Sequence, residues 1–186
     1  STLGFERFSI HVNHRLVLNG LLESLGLVEG APAILRALDK LAKIGEEKVA
    51  AEMQSTANVA PEQAQKILET VQIKGSNSEI LAQLYNTLGD HERAAAGIAN
   101  LRQLVAAFTA ANIPENRPAL DVSIARGLDY YTGTVYETLL DDLPGIGSIC
   151  SGGRYDDLAG LYTKQHLPGV GASLGLDRLM AAMEEL

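Results

Sequence analysis

The spacing of apolar residues constrains the fold of this chain more than any other feature. Near both ends apolar and polar residues alternate, as in β-strands, whereas in the long middle section apolar residues recur at the intervals of an α-helix. The alternating apolar residues are Phe8, Ile10 and Val12 at one end and Leu120, Val122 and Ile124 at the other. A period of two is typical of a half-buried strand, whereas the middle section has the period of a helix. We therefore predict an α+β domain in two parts, residues 1–27 and 117–186, interrupted by an all-helical insertion at 28–116.

The predicted elements follow from the same periodicities and from the glycines and prolines between them. A helix over 16–25 follows the first strand, and the insertion contains helices at about 32–44, 46–57, 61–73, 77–88 and 91–111. Beyond the insertion, 120–124 and 134–140 resemble an antiparallel hairpin. A third strand at 148–151 and a last strand at 169–174 follow, and a helix ends near Glu184. The expected sheet is antiparallel.

Composition excludes several classes of protein. Of the 186 residues, 46% are hydrophobic and 20% charged, which suits a buried core, and no apolar run is long enough to span a membrane. The net charge of −8 argues against binding nucleic acid through overall charge. The single cysteine, Cys150, forms no internal disulfide and favours a reducing, cytoplasmic setting. The four histidines lack metal-ligand spacing, so we expect no metal site.

Arg126, Tyr130 and Tyr131 form the densest cluster of residues with binding chemistry, in a segment that contains two glycines. An arginine suits a carboxylate or a phosphate through its forked donors. A tyrosine offers an apolar face and a hydroxyl that donates or accepts a hydrogen bond. The cluster therefore fits a partly aromatic ligand that carries an anion. The alternative is a surface hairpin with an Arg126–Asp129 salt bridge and tyrosines in the core.

Two glycine-rich segments lie further along the chain. Gly152 and Gly153 precede Tyr155, and paired glycines allow a ligand to approach the backbone closely. Their spacing matches neither a dinucleotide-binding fingerprint nor a P-loop. In 169–178, alternating glycines leave room for a flat group against the last strand. Arg178 lies in the first turn of the final helix, where the helix dipole disfavours a cation and a phosphate ligand would offset that effect.

Three segments, in this order, resemble elements of the histidyl-tRNA synthetase family. Residues 126–137 (RGLDYYTGTVYE) are similar to its histidine-binding signature, and residues 151–157 (SGGRYDD) to the element that follows it. Residues 171–179 (GASLGLDRL) resemble motif 3 of class II aminoacyl-tRNA synthetases. Residues 8–20 resemble the strand and helix downstream of motif 2. The resemblance implies part of a class II catalytic core, with the helical insertion domain of the family.

The resemblance also implies substrates and residue roles. The family joins L-histidine to tRNA(His) through a histidyl-adenylate made from ATP, with Mg²⁺ accompanying the triphosphate. It implies that Arg126 is catalytic and holds both the histidine carboxylate and the ATP α-phosphate, while Arg178 clamps ATP. It assigns the imidazole pocket and its floor to Tyr130, Tyr131, Tyr155 and Gly171. For the full-length enzyme it implies a cytoplasmic homodimer without membrane contact.

Several family elements have no counterpart in the sequence. These are motif 1, motif 2 with its arginine, the histidine-binding Arg-Pro-Glu-type loop and the anticodon-binding domain. We therefore predict an internal fragment of a histidyl-tRNA synthetase catalytic domain that is inactive by itself. The insertion has eight basic and eleven acidic side chains, and the resulting charge of −3 gives no support for contact with tRNA.

Two alternatives to the ligase remain. The first is a paralogue that binds histidine and regulates histidine biosynthesis without making adenylate. Such paralogues tend to lose parts of the catalytic signature, and the presence of Arg126, both tyrosines and Arg178 favours the ligase. The second is an interaction module built on the helices, which leaves the clustering of arginine and tyrosine beside glycines unexplained.

Overall fold

A mixed sheet with helices on one face forms the frame of the molecule, and the computed structural model describes residues 4–125 and 130–185. The strands are β1 (Phe8–His14), β2 (Pro118–Leu120), β3 (Thr134–Leu140), β4 (Cys150–Tyr155) and β5 (Gly169–Leu174). Their order across the sheet is β2-β1-β3-β4-β5. Neighbouring strands are antiparallel except for β1 and β2, which run parallel. The predicted α+β class is confirmed.

The helices follow the predicted pattern closely. They are α1 (Arg15–Ser24), α2 (Ala31–Leu38), α3 (Leu41–Ile44), α4 (Glu46–Ala57), α5 (Pro61–Val71), α6 (Asn77–Leu88), α7 (Glu92–Ala110) and α8 (Leu176–Glu184). Short 3₁₀-helices cover Pro144–Ile146 and Leu158–Leu161. The first predicted helix of the middle section divides around Asp39 into α2 and α3. No strand lies between residues 28 and 116, all of which are described, and none of the described helices is suited to crossing a bilayer.

The predicted hairpin between 120–124 and 134–140 is wrong, and the expected antiparallel sheet is corrected to a mixed one. β2 is only three residues long and pairs in parallel with β1, while β3 lies on the other side of β1. The Asn13 side chain donates to the carbonyls of Val122 and Ile124, each at 3.0 Å, and so holds this segment as a turn. The side chains of Val122 and Ile124 are buried. Their alternation with polar residues therefore reflects burial within a turn and not the pairing of a strand.

The register gives the sheet a covered and an open face, because paired residues share a face and successive residues do not. Phe8, Val12 and Tyr136 pack against the helices. The opposite face carries small and polar residues, among them Asn13, Glu137, Ser151, Gly153 and Gly171. The candidate site lies on this second face.

The helical section shares its core with the sheet. α1 and α7 cross so closely that a Cβ on Gly20 would lie 2.5 Å from the Ala94 nitrogen, and one on Gly97 would lie 2.8 Å from the Val17 nitrogen. One cluster of buried side chains runs from β1 and α1 through α2, α4, α5, α6 and α7 to β2. The helical section is therefore packed into the same body as the sheet, and the domain boundaries at 28 and 116 stay predictions.

A side chain closes the β2 edge of the sheet. Asn77, the first residue of α6, donates from Nδ2 to the Pro118 carbonyl at 3.0 Å and accepts from the Leu120 N–H at 2.8 Å. Proline has no N–H of its own to offer to a further strand. The Asn77 amide therefore takes the place that the backbone of another strand would occupy.

His14 joins β1 to α1 and is buried, with 5% of its surface exposed. Its Nδ1 accepts a hydrogen bond from the Leu16 N–H at 3.2 Å and so caps α1, while Nε2 lies 3.2 Å from the Asn100 amide on α7. Burial, with a smaller contribution from the charge of Arg154, lowers the pKa of His14 from 6.5 to about 4. The imidazole is therefore neutral at pH 7, as an accepting Nδ1 requires.

We expect the substitution Gly20→Ala to destabilise the chain, because the new methyl group would force α1 away from the α7 backbone. Overpacking of a close contact typically costs about 1–3 kcal/mol. Urea unfolding followed by circular dichroism measures the change. Gly160→Ala is the control, because a Cβ there meets no atom within 4 Å. Equal midpoints for the two variants would contradict the close helix crossing.

We also expect the chain to lose stability through His14 as the pH falls from 6.5 towards 4. The unfolded imidazole binds its proton near pH 6.5 and the folded one only near pH 4, so protons favour the unfolded state in this window. The difference approaches about 3 kcal/mol below pH 4. Urea unfolding across this range would compare the chain with His14→Asn, whose side chain still caps the helix but does not titrate. Identical pH slopes would exclude His14 as the cause.

Candidate functional site

Three of the predicted site residues, Tyr130, Tyr131 and Tyr155, form one aromatic cluster. The ring centroids of Tyr130 and Tyr131 are 4.5 Å apart, and that of Tyr155 lies 6.0 and 6.4 Å from them. Burial, followed by hydrogen bonding to Tyr130 and the neighbouring phenols, raises the pKa of Tyr131. Its hydroxyl therefore stays protonated and is already engaged with the Tyr130 hydroxyl. The segment of Tyr130 and Tyr131 and the segment of Tyr155 are therefore in contact, as predicted for tyrosines of one pocket.

Glycines make room for these rings on the open face of the sheet. A Cβ on Gly153 would lie 2.9 Å from the ring of Tyr131, and one on Gly169 would lie 2.4 Å from the ring of Tyr155. A Cβ on Gly171 would lie 2.9 Å from the Tyr155 hydroxyl. The flat group that alternating glycines admit against β5 is thus the ring of Tyr155. Gly171, which was predicted to form the pocket floor, therefore contacts the site through the Tyr155 side chain.

A set of polar contacts joins the segment after Tyr131 to the end of β4. The Thr132 N–H donates to the Arg154 carbonyl at 2.9 Å. The Thr132 hydroxyl donates to Asp156 Oδ2 at 2.9 Å and accepts from the Asp156 N–H at 3.1 Å. Arg154 Nε donates to Asp156 Oδ1 at 2.9 Å. The hydrogen bond from Arg154 is the main cause that lowers the pKa of Asp156, with Thr132 contributing, so its carboxylate is ionised at neutral pH.

Arg178 lies near one end of the β4–β5 pair, and the tyrosine cluster lies at the other. Its Nη1 donates to the Ser148 carbonyl at 2.6 Å, next to the start of β4. Tyr155 pairs with Gly169 at the opposite end of the ladder. The length of β4 separates the two ends by about 17 Å. The structure therefore brings the tyrosines together and leaves Arg178 further along the strands.

The predicted catalytic residue, Arg126, lies outside the described residues, as does Asp129. Its role and the alternative salt bridge to Asp129 both stay predictions. Among the described residues, no group of three His, Cys, Asp or Glu side chains is arranged to hold a metal ion. Burial raises the pKa of the Cys150 thiol, which keeps this side chain protonated and poorly nucleophilic.

A cavity of about 360 Å³ adjoins the aromatic cluster at Tyr131 and Thr132. Its other walls come from α1, α2 and the start of α7, and they include Arg15 and Arg93. Both guanidinium groups are engaged: Arg15 donates to the Ala125 carbonyl at 3.1 Å, and Arg93 forms an ion pair with Glu23. The helical section thus contributes directly to the surroundings of the predicted pocket.

Sequence reasoning missed several residues of this region. Thr132 and Asp156 lie inside the recognised motifs, but nothing in their spacing indicates that they bond to each other. Glu137 is 8% exposed and on the open face of β3, although a carboxylate is rarely buried. The sequence did contain one indication of this residue, because Glu137 is the only charged residue in the predicted strand at 134–140. Tyr136 lies on the covered face and donates to the Gly171 carbonyl at 3.3 Å.

Comparison with known proteins relates this geometry to a family. A family model described as Histidyl-tRNA synthetase matches residues 1–179. A histidine–tRNA ligase of Rhodopirellula baltica is 57% identical over 184 residues, which are 99% of this chain and 42% of that protein. One of Clostridium tetani is 46% identical over 183 residues, which are 98% of this chain and 41% of that protein. The chain thus spans about two fifths of these curated relatives.

Solved structures agree with the sequence matches. Histidyl-tRNA synthetase from Nostoc sp. PCC 7120 superposes with a TM-score of 0.92 at 39% identity, covering 99% of this chain and 43% of that one. A Bacillus halodurans protein described as an ATP phosphoribosyltransferase regulatory subunit/histidyl-tRNA synthetase has a TM-score of 0.79 over 97% of this chain and 45% of its own. At 20% identity, that likeness concerns the fold alone. By the family model and the identity to these relatives, the chain belongs to the histidyl-tRNA synthetase family of class II aminoacyl-tRNA synthetases.

Proposed function

We propose that this chain is a portion of the catalytic domain of a histidine–tRNA ligase. The whole protein would activate L-histidine with ATP to form histidyl-adenylate and would then transfer the histidyl group to tRNA(His). The observation that carries this proposal is the cluster of Tyr130, Tyr131 and Tyr155 on the open face of the sheet. For the whole protein we further expect a homodimer and a cytoplasmic location.

The chemistry of the cluster suits an imidazole. A neutral imidazole has one nitrogen that accepts and one that donates, and a phenol hydroxyl can serve either. Tyr131 is protonated at neutral pH, as phenols ordinarily are, and would donate to the accepting nitrogen in place of its bond to Tyr130. The phenol faces offer offset or edge-to-face packing to the imidazole ring. This combination selects an aromatic nitrogen heterocycle over a purely apolar side chain.

The separation of Arg178 from the tyrosines suits a ligand in two parts. Histidine at the tyrosine end of β4 and β5 would leave about 17 Å of strand for the nucleotide. Arg178 would then meet the phosphates or the adenine of ATP, although one of its N–H groups is occupied by the Ser148 carbonyl. Mg²⁺ would accompany the triphosphate. No described residue is assigned a role toward the ion, because no suitable group of ligands is found among them.

Arg126 would supply the charge at the reacting phosphorus. Attack of the histidine carboxylate on the α-phosphate builds negative charge on the phosphoryl oxygens while pyrophosphate leaves. A positioned guanidinium stabilises this charge and holds the carboxylate in line with the leaving group. Glu137, buried on the same face as Gly153, is a further acidic group close to the predicted pocket.

An unpaired strand edge supports the proposal that further parts of the enzyme complete this region. β5 is the last strand of the sheet, and Val170 and Leu174 on its covered-face side are 73% and 68% exposed. Large apolar residues between 161 and 183 are exposed as well: Leu161, Tyr162, Leu167, Leu176, Met180 and Met183. Exposed apolar patches and long free edges mark surfaces that contact other protein. We therefore propose that this surface is covered in the whole protein.

Histidine-dependent exchange of pyrophosphate into ATP tests the proposal. We expect exchange with the full-length parent and none with this chain, because the predicted motif 2 arginine is not in its sequence. Arg126→Ala in the parent should lower exchange by about 10²–10³-fold or more, the typical effect of removing one preorganised charge contact. Unchanged unfolding midpoints would establish that the variant is folded.

Each other outcome has a definite meaning. Equal exchange by this chain and the parent would refute the incomplete site. Histidine binding by the parent without any exchange would favour the alternative, a regulatory paralogue of histidine biosynthesis. Near-normal exchange by Arg126→Ala would remove that residue from the mechanism.

Gly171→Ala in the parent should weaken histidine use through Tyr155. The added methyl group would lie 2.9 Å from the Tyr155 hydroxyl and would displace the ring from its place in the cluster. A misplaced contact residue can lower kcat/KM by about 10²-fold. The control is Gly160→Ala, which meets no atom within 4 Å. If both variants had the kcat/KM of the parent, Tyr155 would have no part in binding histidine.

A further inference from the structure

We propose that Thr132, Asp156 and Arg154 form a clasp that positions the tyrosines of the pocket. The three are positioning residues rather than catalytic ones, because each acts through Tyr131 or Tyr155. This inference rests on the proposed function for its meaning in catalysis. Its geometry stands on the described hydrogen bonds alone.

The clasp fixes the position of Tyr131 relative to Tyr155. Tyr131 and Tyr155 belong to segments far apart in sequence, so their mutual distance depends on bonds between the segments. Thr132 directly follows Tyr131 in the chain, and Asp156 directly follows Tyr155. The hydroxyl of Thr132 both donates to the Asp156 carboxylate and accepts from the Asp156 N–H, at 2.9 and 3.1 Å. Both bonds of this reciprocal pair therefore tie together the immediate neighbours of two site residues.

Arg154 completes the clasp from the other side of Tyr155. Its carbonyl accepts from the Thr132 N–H at 2.9 Å, and its Nε donates to both carboxylate oxygens of Asp156, at 2.9 and 3.2 Å. Its side chain also covers Gly133, where an added Cβ would lie 3.0 Å from Arg154 Cδ. The residues on either side of Tyr155 are thus both bonded to the segment that carries Tyr131.

Alternation along the strand keeps the charged side chain of Arg154 apart from the Tyr155 ring. Successive residues of a strand point to opposite faces, so Arg154 leaves β4 on the side away from Tyr155. The Arg154 side chain is 55% exposed, whereas the Asp156 side chain is 24% exposed. Arg154 can therefore bond to both segments while its charged group lies on the side of the strand away from Tyr155.

The principal test is kinetic and uses the full-length parent. We expect Thr132→Val, which removes only the hydroxyl from a side chain of the same shape, to raise the KM for histidine about tenfold, as for the loss of one hydrogen bond worth about 1.4 kcal/mol. The KM for ATP should change little, and the unfolding midpoint should fall only as far as the loss of a hydrogen bond lowers it in the matched control below. Thr132→Ser retains the hydroxyl and should restore the KM of the parent. Thr87→Val is the matched control, because the Thr87 hydroxyl bonds within α6, to the Gln83 carbonyl.

A double-mutant cycle distinguishes a clasp from two independent contacts. Asp156→Ala should raise the KM for histidine to a similar extent, and the double variant with Thr132→Val should be little worse than either single one. Fully additive effects would overturn the proposal. So would a Thr132→Val enzyme with an unchanged KM for histidine, or one in which Thr132→Ser gives no rescue.

A spectroscopic test on this chain does not depend on the proposed function. The sequence contains no tryptophan, so its near-ultraviolet circular dichroism comes mainly from six tyrosines. Packed rings that are held rigidly contribute most to that signal, and three of the six belong to the cluster. Thr132→Val should weaken the signal while the far-ultraviolet spectrum and the Thr132→Ser signal stay unchanged. An unaltered Thr132→Val spectrum would overturn the clasp, whereas a parent without histidine-dependent exchange would overturn only the proposed function.

Discussion

The capping hydrogen bond from the Leu16 N–H to His14 Nδ1 lies at the point where the sheet becomes the helical layer. β1 is bonded to a strand on each side, and the chain turns from it directly into α1. The other nitrogen of the same ring faces Asn100 on α7, the helix that crosses α1 at glycine and alanine contacts. This neutral imidazole therefore contacts the sheet, α1 and α7 at once. The bonds on its two nitrogens join the start of α1 to α7 at the point where the chain leaves the sheet.

Glycine determines how closely aromatic rings approach the sheet. Two tyrosines of the site lie against glycines of the strands, Tyr131 against Gly153 and Tyr155 against Gly169. The covered face repeats this arrangement, since a Cβ on Gly152 would lie 2.6 Å from the Tyr136 hydroxyl. The same backbone thus carries rings on both faces. Tyr136 packs against the helices, whereas the tyrosines of the site contact one another.

Much of the fold could be predicted from periodicity. The helices between residues 28 and 116 and the last strand and helix match their predicted positions. The pairing of β2 could not be predicted, because apolar alternation reports burial and not the neighbour of a strand. Val122 and Ile124 are buried through bonds from one buried amide, Asn13, which no local pattern reveals.

The candidate site could be predicted by residue type but not by contact. Arginine, tyrosine and glycine in three segments indicated a pocket, and the tyrosines do meet. The reciprocal bonds of Thr132 and Asp156 depend on where two distant segments come together, so spacing within either segment contains no trace of them. The anchoring of Arg178 to the Ser148 carbonyl is likewise a tertiary contact.

The Asn77 amide determines at which edge the sheet can be extended. At β2, one side chain satisfies the groups that a neighbouring chain would seek, and Pro118 offers no donor. At β5, the opposite border, no further strand is paired among residues 4–125 and 130–185. A further strand can therefore join the sheet at β5 without displacing a bonded group, but not at β2. Asn77 thus directs any added strand, whether from the rest of the protein or from a second molecule, to the β5 border.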